Sequence, residues 1–259
     1  MKKLFILIPL FILLSAFAGL IRPTAPPTGH TGADGVYCTN CHVGNALNSG
    51  GGAVTTTGLP FSTYTAGTAY DFSVLISHGV NNRRRFGFSI EARNSAGVKV
   101  GTFSSTNPNA AINGNELSHL NAPSFSTNQQ GYTYNNLRWT APASPTAADA
   151  TVFFYIAGVA GNGSGSSGDF VYANALSTTL LAVQTYTFTG TGNWSNPANW
   201  SNGQIPPSVI TGNNTRIEIN PAAGGECVLD VPQQVSNGAV IEINQNKTFR
   251  INGNLTIQN

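Results

Sequence analysis

Apolar and polar residues alternate along most of this chain with the period of a β-strand, and no stretch beyond the opening apolar run keeps the period of an amphipathic helix. Tyr70, Phe72, Val74 and Ile76 alternate with Asp71, Ser73 and Ser77, which predicts a half-buried strand whose apolar face His78 continues. Gly79 to Asn82 is a predicted turn. After it Phe86, Phe88, Ile90 and Ala92 face one way and Ser89, Glu91 and Arg93 the other, so the two strands are expected to form a hairpin. Val98, Val100 and Thr102 predict a third strand, and Tyr132, Tyr134, Leu137 and Trp139 a later one. The run Thr151 to Ala157 is apolar on both faces and predicts a central strand of a covered sheet. Short strands separated by Gly and Pro turns argue an all-β chain with an immunoglobulin-like β-sandwich over residues 59–182.

From residue 183 the pattern changes. Ile217 and Ile219, Val228, Ile241 and Ile243, Phe249 and Ile251, and Leu255 and Ile257 recur as short apolar pairs between Asn, Gly and Gln turns. Such rungs bury their faces only by stacking, so a short β-solenoid-like segment is expected over 183–259. The pattern stops in mid-repeat, which suggests a truncated solenoid or a cap that packs on a neighbouring molecule. Trp194 and Trp200 are expected in its core, with sugar stacking as the alternative, and Cys227 alternates with Leu229 and Val231 as a buried strand residue.

The N-terminus bounds the compartment. Lys2 and Lys3, the apolar run Leu4 to Leu14 and the small residues Ser15-Ala16-Phe17-Ala18 predict a signal peptide over 1–18, with an uncleaved anchor as the alternative. The chain is therefore expected to be exported, to the periplasm, the cell surface or the medium, with no stable membrane span in its mature form. Only 8% of the residues are charged. Loss of Lys2 and Lys3 leaves as many basic as acidic residues, so nothing attracts nucleic acid by charge. Arg83-Arg84-Arg85 is expected to be a solvated turn. Residues 19–58, rich in Pro, Thr and Gly, are expected as a linker that carries His30 and the sequence Cys38-Thr39-Asn40-Cys41-His42.

That last stretch is C-x-x-C-H, the attachment signature of c-type haem: two thiols to form thioethers with the two vinyl groups, and a histidine to ligate the iron. A local Cys38–Cys41 disulfide, a thioredoxin-like pair and half a zinc site are the other uses of the spacing. The thioredoxin reading lacks a βαβ context and the zinc reading a second C-x-x-C. One covalent haem c per chain is expected.

The order of Phe86-Gly87-Phe88, Leu137-Arg138-Trp139-Thr140-Ala141-Pro142, Val152-Phe153-Phe154-Tyr155 and Gly168-Asp169-Phe170-Val171-Tyr172 resembles the Reeler, or reelin-like, domain. Its bacterial surface version, the choice-of-anchor V domain, is similar also in opening with a segment like Gly29 to Gly35 before a C-x-x-C-H. Tyr186 to Trp194 and Asn199 to Pro207 resemble the opening of surface β-solenoids of the Bacteroidetes type. The resemblance implies a secreted sandwich and no assigned catalytic residues.

A haem needs a second axial ligand. Met1, the sole methionine, leaves with the signal, so His119, His78 and His30 remain. His119 ranks first, because it sits in a predicted loop and the resembling family often has a histidine there; His78 ranks second, and His30 would reach the iron only if its segment folded back. Two histidine ligands would give an electron-transfer site and an open position a gas or peroxide site. Two functions follow as expectations. One is an exported haem protein that passes electrons to a redox partner protein or a neighbouring haem. The other is a surface interaction module, binding protein or glycan, with Cys38 and Cys41 as a structural disulfide. Asp34, Asp71, Glu91, Glu116 and Asp169 fall in no catalytic spacing, so no enzyme is expected.

Overall fold

A computed structural model of the chain describes residues 25–212 and 214–258, so the expected signal peptide lies outside the described residues. Among the described residues no helix is long and apolar enough to cross a membrane. The chain is all-β, as the alternation predicts. The sandwich strands are β1 (Ala53–Thr57), β2 (Thr63–Tyr64), β3 (Ala69–Ser77), β4 (Arg83–Asn94), β5 (Thr102–Ser105), β6 (Ala110–Asn113), β7 (Glu116–His119), β8 (Ser124–Gln129), β9 (Gly131–Thr140), β10 (Thr151–Gly161) and β11 (Phe170–Leu180). One sheet has the order β1-β3-β9-β5; the other runs β2-β11-β10-β4-β7-β6, with β8 also on β4.

The inner faces follow the period of two. Phe72, Val74 and Ile76 of β3 and Tyr134, Leu137 and Trp139 of β9 pack against Phe86, Phe88 and Ile90 of β4 and Val152, Phe154 and Ile156 of β10. The step from Tyr134 to Leu137 breaks the period because Asn136 adopts a left-handed conformation (φ 59°) and the β3–β9 register shifts there. This β-bulge inserts one residue and returns Leu137 to the core.

Three local expectations are corrected. β3 and β4 do not form a hairpin: β3 pairs with β1 and β9, whereas β4 pairs with β10, β7 and β8, so the chain arches from one sheet to the other and their apolar faces meet across the core. The strand expected at Val98 starts only at Thr102, and Val98 itself is exposed. Arg83 to Arg85 form no solvated turn. They open β4; Arg83 is buried, donates to the Gly168 carbonyl at 3.0 Å and lies 4.7 Å over the Phe170 ring.

Residues 25–52 are not an extended linker but are pinned to the outer face of the second sheet. The Gly29 N–H donates to Glu116 Oε1 at 2.8 Å, the Thr31 hydroxyl donates to Glu91, and Asp34 accepts both terminal nitrogens of Arg93. Lys99 closes the cluster, 3.0 Å from Glu91 and 2.7 Å from Glu116. Both carboxylates are fully desolvated, so their ion pairs make this contact specific.

Beyond the sandwich lie β12 (Gln184–Phe188), β13 (Gly192–Asn193), β14 (Val209–Thr211), β15 (Thr215–Ile219), β16 (Glu226–Leu229), β17 (Gln233–Ser236), β18 (Val240–Ile243), β19 (Thr248–Ile251) and β20 (Leu255–Gln258). They form three parallel ladders, β12-β15-β18, β13-β16-β19 and β14-β17-β20. Three strands per turn in three stacked turns is the geometry of a parallel β-helix. Trp194 and Trp200 are buried in its core, ring centroids 4.8 Å apart, which leaves no face for a sugar, and Cys227 is buried beside them.

Candidate haem-attachment site

The outer face of the second sheet is shaped by small residues. On β4 and β10, Gly87 lies opposite Val159, Ser89 opposite Ala157, and Arg85 opposite Gly161. Against this platform sits a short 3-10 turn, Cys38–Asn40, closed by the Cys41 and His42 N–H groups donating to the Cys38 carbonyl at 3.1 and 2.8 Å. Cys38 packs with Ala157, Val159 and Val171, and Leu47 covers the cluster. Burial pushes the Cys38 thiol up to about 12, with the neighbouring Cys41 adding to the rise. Cys41 is exposed, and the two thiols, for which a disulfide was the alternative to haem attachment, are unbridged.

His42 leaves the turn beside β11. Its Nδ1 lies 2.7 Å from Oδ2 of Asp169, a buried carboxylate whose Oδ1 accepts the Asn162 N–H at 2.8 Å. The neighbouring Asp169 carbonyl accepts from Asn45 at 3.0 Å, which ties the segment after the motif to the same corner. A carboxylate so placed fixes the imidazole's orientation and directs Nε2 away from itself.

Cys38, Cys41, His42 and Asp169 share one cavity with His119 and His30, at the platform residues Gly87, Val159 and Gly161. It is a cavity of about 100 Å³ that opens to solvent. His119, buried at the end of β7, has Nδ1 3.1 Å from both the N–H and the carbonyl of Phe88, so the β4 backbone orients its ring. That ring lies over Gly87, where a Cβ would stand 2.8 Å from Cε1; only glycine leaves it room. His30 reaches the cavity because its segment does fold back, with Nδ1 3.0 Å from the Thr28 carbonyl.

His78 is not at this site. It is buried elsewhere, with Nδ1 2.5 Å from the Tyr172 hydroxyl and its ring 4.5 Å from Phe170, and burial lowers its pKa, helped by the charge of Arg83. Its place on the inner strand face makes it a core histidine. Asp169 and Arg85 belong to the cavity but were not assigned to it from sequence, since a strand pattern gives no sign of which loop will cover it.

No family model matches the chain, and no curated protein matches it. Among solved structures it is similar to the human F-spondin reeler domain, with 17% identity over 51% of this chain and 92% of that one and a TM-score of 0.32. A cohesin module from a Clostridium perfringens family 33 glycoside hydrolase shares 12% identity over 50% of this chain and 96% of its own, with a TM-score of 0.34. A DUF4466 family protein from Parabacteroides merdae shares 16% identity over 48% of this chain and 43% of its own, with a TM-score of 0.26.

Proposed function

We propose that this is an exported c-type haem protein that carries electrons, the haem lying between the outer face of the sandwich and the folded-back segment 25–48. The observation that supports it most directly is that His119, distant in sequence from the contiguous Cys38, Cys41 and His42, lines the same cavity. The donor set fits the group. Cys38 and Cys41 would hold the group covalently, each thiol adding Sγ–H across one vinyl C=C with no net oxidation. His42, oriented by Asp169, and His119, oriented by the Phe88 backbone, would offer the iron an imidazole each. Gly87, by lacking a side chain, makes room for the His119 ring, and Val159 and Gly161 line the cavity beside it where a flat macrocycle would rest. When bound, a haem with two imidazole ligands supplies one-electron transfer through its iron.

Asp169 is a positioning residue: its charge makes His42 a stronger electron donor, which favours the ferric state and a low potential. His30, on the wall formed by the folded-back segment, lines the same cavity without being required as a ligand. An interaction module with Cys38 and Cys41 as a structural disulfide is the other reading of the same residues. The test is a pyridine haemochrome spectrum with intact mass on protein exported by a bacterium that has a haem-attachment system. A c-type band and one added haem are expected; an unmodified mass under those conditions overturns the proposal.

A further inference from the structure

The cavity holds one charged group that the proposed axial and thioether contacts leave unused. Arg85 lines it from β4, opposite Gly161, and its Nε is buried without any hydrogen-bond partner. Its neighbours in sequence are both engaged: Arg83 with the Gly168 carbonyl and Asn82, and Arg84 with Asn128. Among the described residues no carboxylate lies within ion-pair distance of Arg85; Asp169, the acidic residue of the same cavity, pairs with His42 instead. A buried guanidinium nitrogen left unpaired is costly, and a water, an ion or a ligand can complete it. The planar fork of arginine suits a carboxylate, which it takes in two parallel hydrogen bonds.

We propose that Arg85 is an anion-anchoring residue of this cavity, and that it binds a propionate carboxylate of the haem. The inference rests on the haem reading of the site and adds its polar end. The apolar floor and the thioethers fix the macrocycle's face and its vinyl edge; Arg85 fixes the opposite, charged edge, and so selects one orientation of an otherwise nearly symmetric ring. The attachment chemistry itself does not require Arg85, so the two ideas separate experimentally.

The test uses the full chain with Cys38→Ala and Cys41→Ala, so that binding is reversible, titrated with haemin and with haemin dimethyl ester, whose carboxylates are blocked. With Arg85 present, haemin is expected to bind about tenfold or more tighter than the ester. In the same chain carrying Arg85→Met that ratio falls to near one, while affinity for the ester is unchanged and serves as the control for folding. Equal affinities for both porphyrins with Arg85 in place overturn the anchoring role and leave the haem reading standing. Binding of neither porphyrin, together with an unmodified mass for the unaltered exported chain, overturns both.

Discussion

Replacing Lys99 by Met keeps most of the side chain's aliphatic length and removes its ammonium, which isolates the cluster that holds the folded-back segment. In the parent, Lys99 lies 3.0 Å from Glu91 and 2.7 Å from Glu116, and both carboxylates are buried. Breaking a fully buried pair costs roughly 3–5 kcal/mol. Lys99 is 28% exposed, Arg93 still reaches Glu91 at 3.1 Å, and Glu116 keeps Gly29 and Ser89 as donors, so a loss of about 2 kcal/mol is expected. For a sandwich of this size that lowers Tm by roughly 6–10 °C at pH 7. Hydrogen exchange should speed up at the Gly29 amide, whose acceptor is Glu116. The pH dependence follows from the same contacts. Burial would raise Glu91, but hydrogen bonds from Thr31, Arg93 and Lys99 outweigh it and hold the carboxyl below its ordinary value. Burial would lower Lys99, but Glu116 and Glu91 outweigh it and hold the ammonium above its ordinary value. The Glu91 contribution is therefore complete above the ordinary carboxylate range and lost as pH falls through the lowered value. The Lys99 contribution is complete below the ordinary lysine range and lost as pH rises through the raised one. Arg93 and Asp34, the other charges of the cluster, stay paired across the same interval. The Tm gap between parent and variant should hold at pH 7 and narrow below about pH 4. A Tm within about 1 °C of the parent at pH 7, with unchanged exchange at Gly29, refutes the latch.

Asp169→Asn should leave the covalent mass intact and raise the midpoint potential by about 60 mV, the equivalent of a tenfold weaker preference for the ferric state, read by spectroelectrochemistry. His119→Ala should convert the ferric spectrum from low to high spin and open the iron to carbon monoxide. His78→Phe should leave the spectrum unchanged while costing about 1–3 kcal/mol in urea unfolding, because the Tyr172 hydroxyl loses its buried partner. Gly87→Ala should disturb the low-spin spectrum in the parent and be silent when His119 is already Ala, since its Cβ meets only that ring within 3.4 Å.

The period of two found the strands but not their partners. Phe72, Val74 and Ile76 and then Phe86, Phe88 and Ile90 were legible as two apolar faces, yet alternation cannot tell a hairpin from an arch between sheets, because both place the same residues in the core. The bulge at Asn136 left its trace as a three-residue step between Tyr134 and Leu137. The chemistry of Cys38, Cys41 and His42 is local, so spacing alone identified it. Their neighbours are set by register: Gly87 meets Val159, and Arg85 meets Gly161, through a pairing of strands far apart in sequence.

The polar face of β4 explains why the rest stayed hidden. Ser89, Glu91 and Arg93 alternate with Phe88, Ile90 and Ala92, the signature of a strand with one side in water, yet Ser89 and Glu91 are buried and Arg93 is half-buried. A buried polar side must find partners or lose stability, and here Gly29, Thr31, Asp34 and Lys99 supply them. Three of those partners, Gly29, Thr31 and Asp34, come from the stretch rich in Gly and Pro that looked like a linker; that part of it carries no apolar pattern because it binds by hydrogen bonds and charge. The same covering brings Cys38, Cys41 and His42 to the sheet and His30 with them. A segment that docks by polar contacts onto a polar strand face has no hydrophobic period on either side, so the only mark it leaves in the sequence is a pair of glutamates, Glu91 and Glu116, in strands of an otherwise charge-poor chain.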